Sequence, residues 1–117
     1  MRLLTIMIMI VTAYTNCDPG MRCDGWTKSG IQAHEGIVAC GPEWEFGTIF
    51  CIQGIGCYEC QDTGSAITRD RLDIWFQHRQ EALQFGIGTY PVRIYAANNI
   101  SRVLRQRLYY DERALVK

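Results

Sequence analysis

The chain has 117 residues, 48% of them hydrophobic and 21% charged, enough for one domain with a real core and too few for two. Twelve basic residues balance twelve acidic ones, so no global field draws in nucleic acid or an anionic membrane surface. Nucleic acid is therefore not an expected partner, no cofactor is expected, and the chain is expected to be a monomer.

The N-terminus, MRLLTIMIMIVTA, imitates a short export signal, with Arg2, an apolar run from Leu3 to Val11 and the cleavage-like Val11-Thr12-Ala13. The run is far too short to span a bilayer. Its richness in Ile, Val and Thr from residue 5 to 15 favours a buried β-strand instead. Asn16 to Gly30 is polar and glycine-rich and reads as a long loop. Gly36 to Cys40 is a short apolar run stopped by Gly41-Pro42, a second strand. Phe46 to Ile52 and Cys57 to Gln61 flank Gln53-Gly54-Ile55-Gly56, a hairpin signal.

Leu72 to Phe76 is a further strand, His78 to Phe85 a short helix stopped at Gly86, and Tyr90 to Tyr95 the last strand. Short strands around one helix predict a mainly β fold, a compact barrel. Beyond Asn98 the pattern changes. Asn99 is placed to cap an amphipathic C-terminal helix with Ile100, Val103, Leu104 and Leu108 on one face and Arg102, Arg105 and Arg107 largely outward. That segment is expected to dock on the barrel, a contact with a partner or the wall polymer being the alternative. The domain is accordingly placed at residues 1–96 and the C-terminal helix or tail at 97–117.

All six cysteines, Cys17, Cys23, Cys40, Cys51, Cys57 and Cys60, lie in the first 60 residues. An even number in a small chain fits disulfides in an oxidising compartment. Sequence alone does not choose among the pairings; the working expectation is Cys17 with Cys23, Cys40 with Cys60 and Cys51 with Cys57. Cys57-Tyr58-Glu59-Cys60 has the C-x-x-C form, but no second close pair accompanies it and His34 and His78 fall in no ligand pattern, so no metal is expected.

Two acids stand out. Asp62, in Gln61-Asp62-Thr63-Gly64-Ser65, has the letters of an aspartic protease, which in so short a chain would need a symmetric dimer. The preceding Cys60-Gln61 is not the apolar lead-in that such a site requires, so the protease reading is poor. Asp73 sits among Leu72, Ile74 and Trp75. Desolvation there should raise its pKa, which suits a general acid.

Thr27-Lys28-Ser29-Gly30, Gly36-Ile37-Val38-Ala39, Phe46-Gly47-Thr48, Asp62-Thr63-Gly64-Ser65-Ala66-Ile67, Leu72-Asp73-Ile74-Trp75-Phe76 and Glu81-Ala82-Leu83 with Phe85-Gly86, following Val11 to Thr15, come in an order that resembles the 3D (three-aspartate) domain of bacterial cell-wall proteins. The resemblance covers about residues 8 to 95. It implies a six-stranded double-psi β-barrel, related to membrane-bound lytic transglycosylase A and to stationary-phase survival or resuscitation-factor-like proteins, and it implies peptidoglycan as the partner.

On that resemblance Asp73 is the catalytic acid of a lytic transglycosylase, with Asp62 beside it. Thr63, Gly64 and Ser65 are expected to contact substrate or the aspartates, and Tyr14 and Trp75 are candidates for stacking on sugar rings, packing in the barrel core being the commoner place for an aromatic. The location implied is extracytoplasmic or in the cell wall, reached by secretion or by release of the phage-lysin kind. One departure is visible: Gly41 stands where the family carries its first aspartate. A non-catalytic glycan-binding barrel of the barwin or expansin kind is the competing expectation.

Overall fold

The computed structural model describes residues 1–16 and 25–97. The C-terminal helix expected from Asn99 onward and the Cys17–Cys23 pairing lie outside the described residues.

Six strands, β1 (Leu3–Tyr14), β2 (Ile37–Ala39), β3 (Ile49–Ile52), β4 (Gly56–Asp62), β5 (Arg71–Trp75) and β6 (Gly88–Tyr95), and one helix, α1 (Arg79–Phe85), follow one another along the chain. The strands close into a barrel in the order β1-β5-β2-β4-β3-β6. Neighbours β1/β5 and β2/β4 run parallel and the other pairs antiparallel. This is the mainly β, six-stranded barrel with one short helix that the resemblance implied.

Alternation along each strand builds the core. Met9 and Val11, Val38, Phe50 and Ile52, Tyr58 and Cys60, Leu72 and Ile74, and Val92 and Ile94 pack into one cluster inside the barrel. The N-terminal run is thus a strand, but only its inward face is buried. Ile6 and Ile8 on the alternate face are 60% and 62% exposed, because alternation turns them to the outside of the barrel. The apolar letters of that run hid its one-sided burial.

After β5, Phe76 and Phe85 lie 5.7 Å apart and Phe85 and Tyr90 6.4 Å apart, ring centre to ring centre. Through this aromatic file α1 packs against the barrel core. Gly86, at φ 70°, ends the helix in a conformation that side-chain-bearing residues rarely adopt.

Two disulfides lie among the described residues, Cys40–Cys60 and Cys51–Cys57. The first joins the end of β2 to β4 inside the core; the second bridges directly opposed residues of the β3/β4 hairpin on its outer side. Their sequence separations are 20 and 6 residues. The restriction of the unfolded chain then contributes about 3 kcal/mol for the first and about 2 kcal/mol for the second. Replacing Cys40 and Cys60 together by alanine should therefore lower the denaturation free energy more than replacing Cys51 and Cys57, a ranking that urea unfolding of the two double variants measures.

Candidate functional site

Asp62 and Asp73 stand on the two strands that flank β2, and both are in register with Ala39. The geometry that brings them to one face starts with a bulge. Val38 pairs with Cys60, but the next residue, Ala39, pairs with Asp62, so Gln61 is an extra residue in β4. Cys60 faces the core, and strict alternation would send Asp62 inward as well. The inserted residue turns Asp62 outward instead, onto the side of Ala39 and Asp73. Cys40 N–H donates to the Asp62 carbonyl at 3.0 Å, which fixes the bulged segment.

On the far side of Asp73, Thr12 of β1 is its register partner. A row therefore crosses four strands: Asp62, Ala39, Asp73, Thr12. The small side chain of Ala39 leaves room between the two carboxyl groups.

Each carboxyl has its own partners. Tyr14 Oη donates to Asp62 Oδ2 at 2.9 Å, and the Lys28 backbone N–H donates to Asp62 Oδ1 at 2.9 Å. Asp62 is thus oriented through both oxygens. Thr12 Oγ1 lies 2.9 Å from Asp73 Oδ1 and 3.3 Å from the Leu72 carbonyl oxygen. Its single proton serves either acceptor: it goes to Asp73 when that group is ionised, and to Leu72 when Asp73 carries a proton and itself donates to Thr12.

Burial pushes the Asp73 carboxyl above the ordinary aspartate range; the Thr12 hydrogen bond and the Arg71 charge pull it back, and the Asp62 charge adds a further upward push. Tyr14 is driven well above its ordinary value, first by burial and then by the charge and hydrogen bond of Asp62 and the charge of Asp73. Its hydroxyl therefore keeps its proton and remains a donor. The arrangement offers one carboxyl that holds a proton more readily than a free aspartate, beside a second carboxyl held in place by two donors. That is a pair suited to acid–base work on a neutral substrate.

The remaining expected residues divide in two. Gly64 and Ser65 are exposed and Thr63 half-buried, in the turn that follows Asp62, where Ile67 N–H closes on the Gly64 carbonyl at 3.0 Å. They border the carboxyl row. Tyr14 and Trp75 are register partners, and of the two Trp75 offers no open ring, while Tyr14 is half-buried. Trp75 is only 5% exposed, and its Nε1 donates to Asn16 Oδ1 at 2.9 Å; the Tyr14 hydroxyl is committed to Asp62. Both form the wall of the site.

The residues that sequence reasoning missed are Thr12 and the Lys28 amide. Thr12 was recoverable, because it alternates with Tyr14 on the outward face of β1. A backbone donor such as Lys28 leaves no letter to find. Among the described residues no group of three or more His, Cys, Asp or Glu side chains is placed to hold a metal ion.

Gly41 has a structural reason. A Cβ there would lie 2.6 Å from the backbone carbonyl carbon and oxygen of Thr68. The segment that crowds it is clasped in place: Trp44 Nε1 donates to the Arg69 carbonyl at 2.9 Å, and the Arg69 guanidinium sits 5.5 Å from the centre of the Trp44 ring. The space beside Gly41 is occupied by backbone, so a carboxylate does not fit there without displacing the 67–70 segment.

Two outcomes follow. Gly41→Asp should lose about 1–3 kcal/mol of stability through overpacking, read by chemical denaturation. Asp73→Asn should gain stability at neutral pH. An acid whose folded pKa lies above its unfolded value binds more protons when folded, so its contribution falls as pH rises from the unfolded value through the folded one. The amide escapes that cost. Melting curves should place Asp73→Asn above the wild type at neutral pH, with the gap closing in acid below the unfolded aspartate range.

Residues 37–98 match the family described as the 3D domain. A Bacillus subtilis (strain 168) protein named as a cell wall shaping protein, YabE, is 29% identical over 94 residues, covering 76% of this chain and 23% of its own length. The chain thus spans about a quarter of that relative. With the family match covering more than half of the sequence, this chain belongs to the 3D domain family.

Proposed function

We propose that this barrel acts on the bacterial cell wall, as a lytic transglycosylase that cuts the β-1,4 bond between N-acetylmuramic acid and N-acetylglucosamine. The observation that carries the reading is the desolvated Asp73, with its raised pKa, set in one row with an oriented Asp62. The name of the Bacillus subtilis relative supports the choice of polymer. The disulfides fit the same location, since they persist in oxidising, extracytoplasmic surroundings.

In the reaction Asp73 donates its proton to the glycosidic oxygen, and the bond from that oxygen to the muramyl anomeric carbon breaks. Positive charge develops on the anomeric carbon and ring oxygen, and the Asp62 carboxylate faces it. The muramyl 6-hydroxyl oxygen then bonds to the anomeric carbon and gives its proton to Asp73. A 1,6-anhydro end forms, Asp73 is again protonated, and no water is consumed. Tyr14 and the Lys28 amide hold Asp62 throughout. Thr63, Gly64 and Ser65 supply backbone and hydroxyl contacts to the sugars. The catalytic unit is residues 1–96, with 97–117 as an appended segment.

A second reading, a glycan-binding barrel without turnover, has one observation in its favour: the position of the family's first aspartate is closed by the Thr68 backbone. Digestion of purified peptidoglycan separates the two. Wild-type protein should release 1,6-anhydro-muropeptides visible by mass spectrometry, Asp73→Asn should release none, and Asp62→Asn should lower the rate by a factor of about a hundred or more. Binding without products from the wild type would establish the second reading.

A further inference from the structure

Residues 25–33 form a small hairpin that the long-loop expectation did not anticipate. Trp26 and Gln32 make an antiparallel bridge, Thr27 N–H donates to the Ile31 carbonyl at 2.7 Å, and Ala33 N–H to the Gly25 carbonyl at 2.9 Å. Thr27 is buried and its hydroxyl donates to the Ile31 carbonyl at 3.0 Å, which stiffens the turn from within. The tip is fastened to the carboxyl-bearing strand by Ser29 N–H on the Gln61 carbonyl and Lys28 N–H on the Asp62 carboxylate. This hairpin is therefore a fixed part of the site's edge.

It carries Trp26, which is 72% exposed. The chain's three tryptophans differ sharply. Trp44 and Trp75 each spend their indole N–H on a hydrogen bond and pack into the molecule. Trp26 leaves most of a large apolar ring in water, with no hydrogen bond or ring contact among the described residues. Exposed tryptophan on a rigid support is costly to hydrate and cheap to immobilise, which is the profile of a ligand-contacting group. About 7 Å of extended chain separates it from the amide that holds Asp62.

We infer that Trp26 is a glycan-binding subsite of this protein: its indole receives the C–H face of a pyranose ring one or two units along the strand from the carboxyl pair. The inference rests on the glycan reading above. Trp26 takes the stacking role expected of Trp75, whose ring is buried.

The test uses the full chain and peptide-free peptidoglycan glycan strands, with Asp73→Asn as the common background so that strands are bound without being cut and wild type denotes an intact Trp26; binding is measured by calorimetry and tryptophan emission is recorded in parallel. Wild-type protein should bind with a blue shift in emission. Trp26→Ala should bind about tenfold more weakly, Trp26→Phe should recover part of the affinity, and both should lose the shift. Leu83→Ala, which alters a residue 67% exposed on α1, should bind like the wild type. Circular dichroism and urea midpoints equal to those of the wild type establish that the variants are folded. If the wild type binds and Trp26→Ala binds equally well, the subsite is wrong while the glycan reading stands. If the wild type binds no glycan strand, both fall together.

Discussion

The single extra residue in β4 is what the rest of the site depends on. Without Gln61 between the Val38–Cys60 and Ala39–Asp62 pairs, the strand period would bury Asp62 in the barrel, where an ionised carboxyl without partners is untenable. With it, Asp62 comes out beside Asp73, and Tyr14 and the hairpin amide find it. The Cys40–Cys60 disulfide sits immediately before this step, and Gly47 N–H and Cys40 N–H bond to the Cys60 and Asp62 carbonyls on either side of it. The distortion that aims the carboxylate is thus held covalently on its inner face and by the backbone at both ends.

This arrangement also separates the roles of the two acids. Asp62 receives two donors and is held as an acceptor. Asp73 has one hydroxyl, which is shared with the Leu72 carbonyl, and lies where burial outweighs the compensating Thr12 and Arg71. Two chemically identical side chains become different acids because their strands present them to different surroundings. At Gly41 the space beside the backbone goes to a clasped segment, with Trp44 and Arg69 as the clasp.

Much of the barrel was legible because alternation and turn chemistry are local. The hairpin at Gln53–Gly56, the helix stop at Gly86 and the strands around Val38 and Ile74 follow from short stretches of letters. The carboxyl pair was readable from the resemblance, and the raised pKa of Asp73 from its apolar neighbours. What the letters could not carry was direction. The bulge at Gln61 and the burial of Trp75 depend on which strand lies alongside, and the one-sided exposure of Ile6 and Ile8 on which face of β1 turns to the outside of the barrel. The same holds for the Lys28 amide, a donor with no side-chain signature, and for Trp26, whose exposure is set by a hairpin too short to announce itself.

Burial on this barrel face makes Asp73 a proton-holding acid. Carbon-13 NMR titration of the aspartate carboxyl groups, with Asp73 assigned from the Asp73→Asn spectrum, tests it without substrate or turnover. The Asp73 signal should titrate above the ordinary aspartate range, and should move further upward when Thr12 is replaced by valine and its hydrogen bond is lost. An Asp73 that titrates at or below the ordinary aspartate value would leave the barrel without its acid.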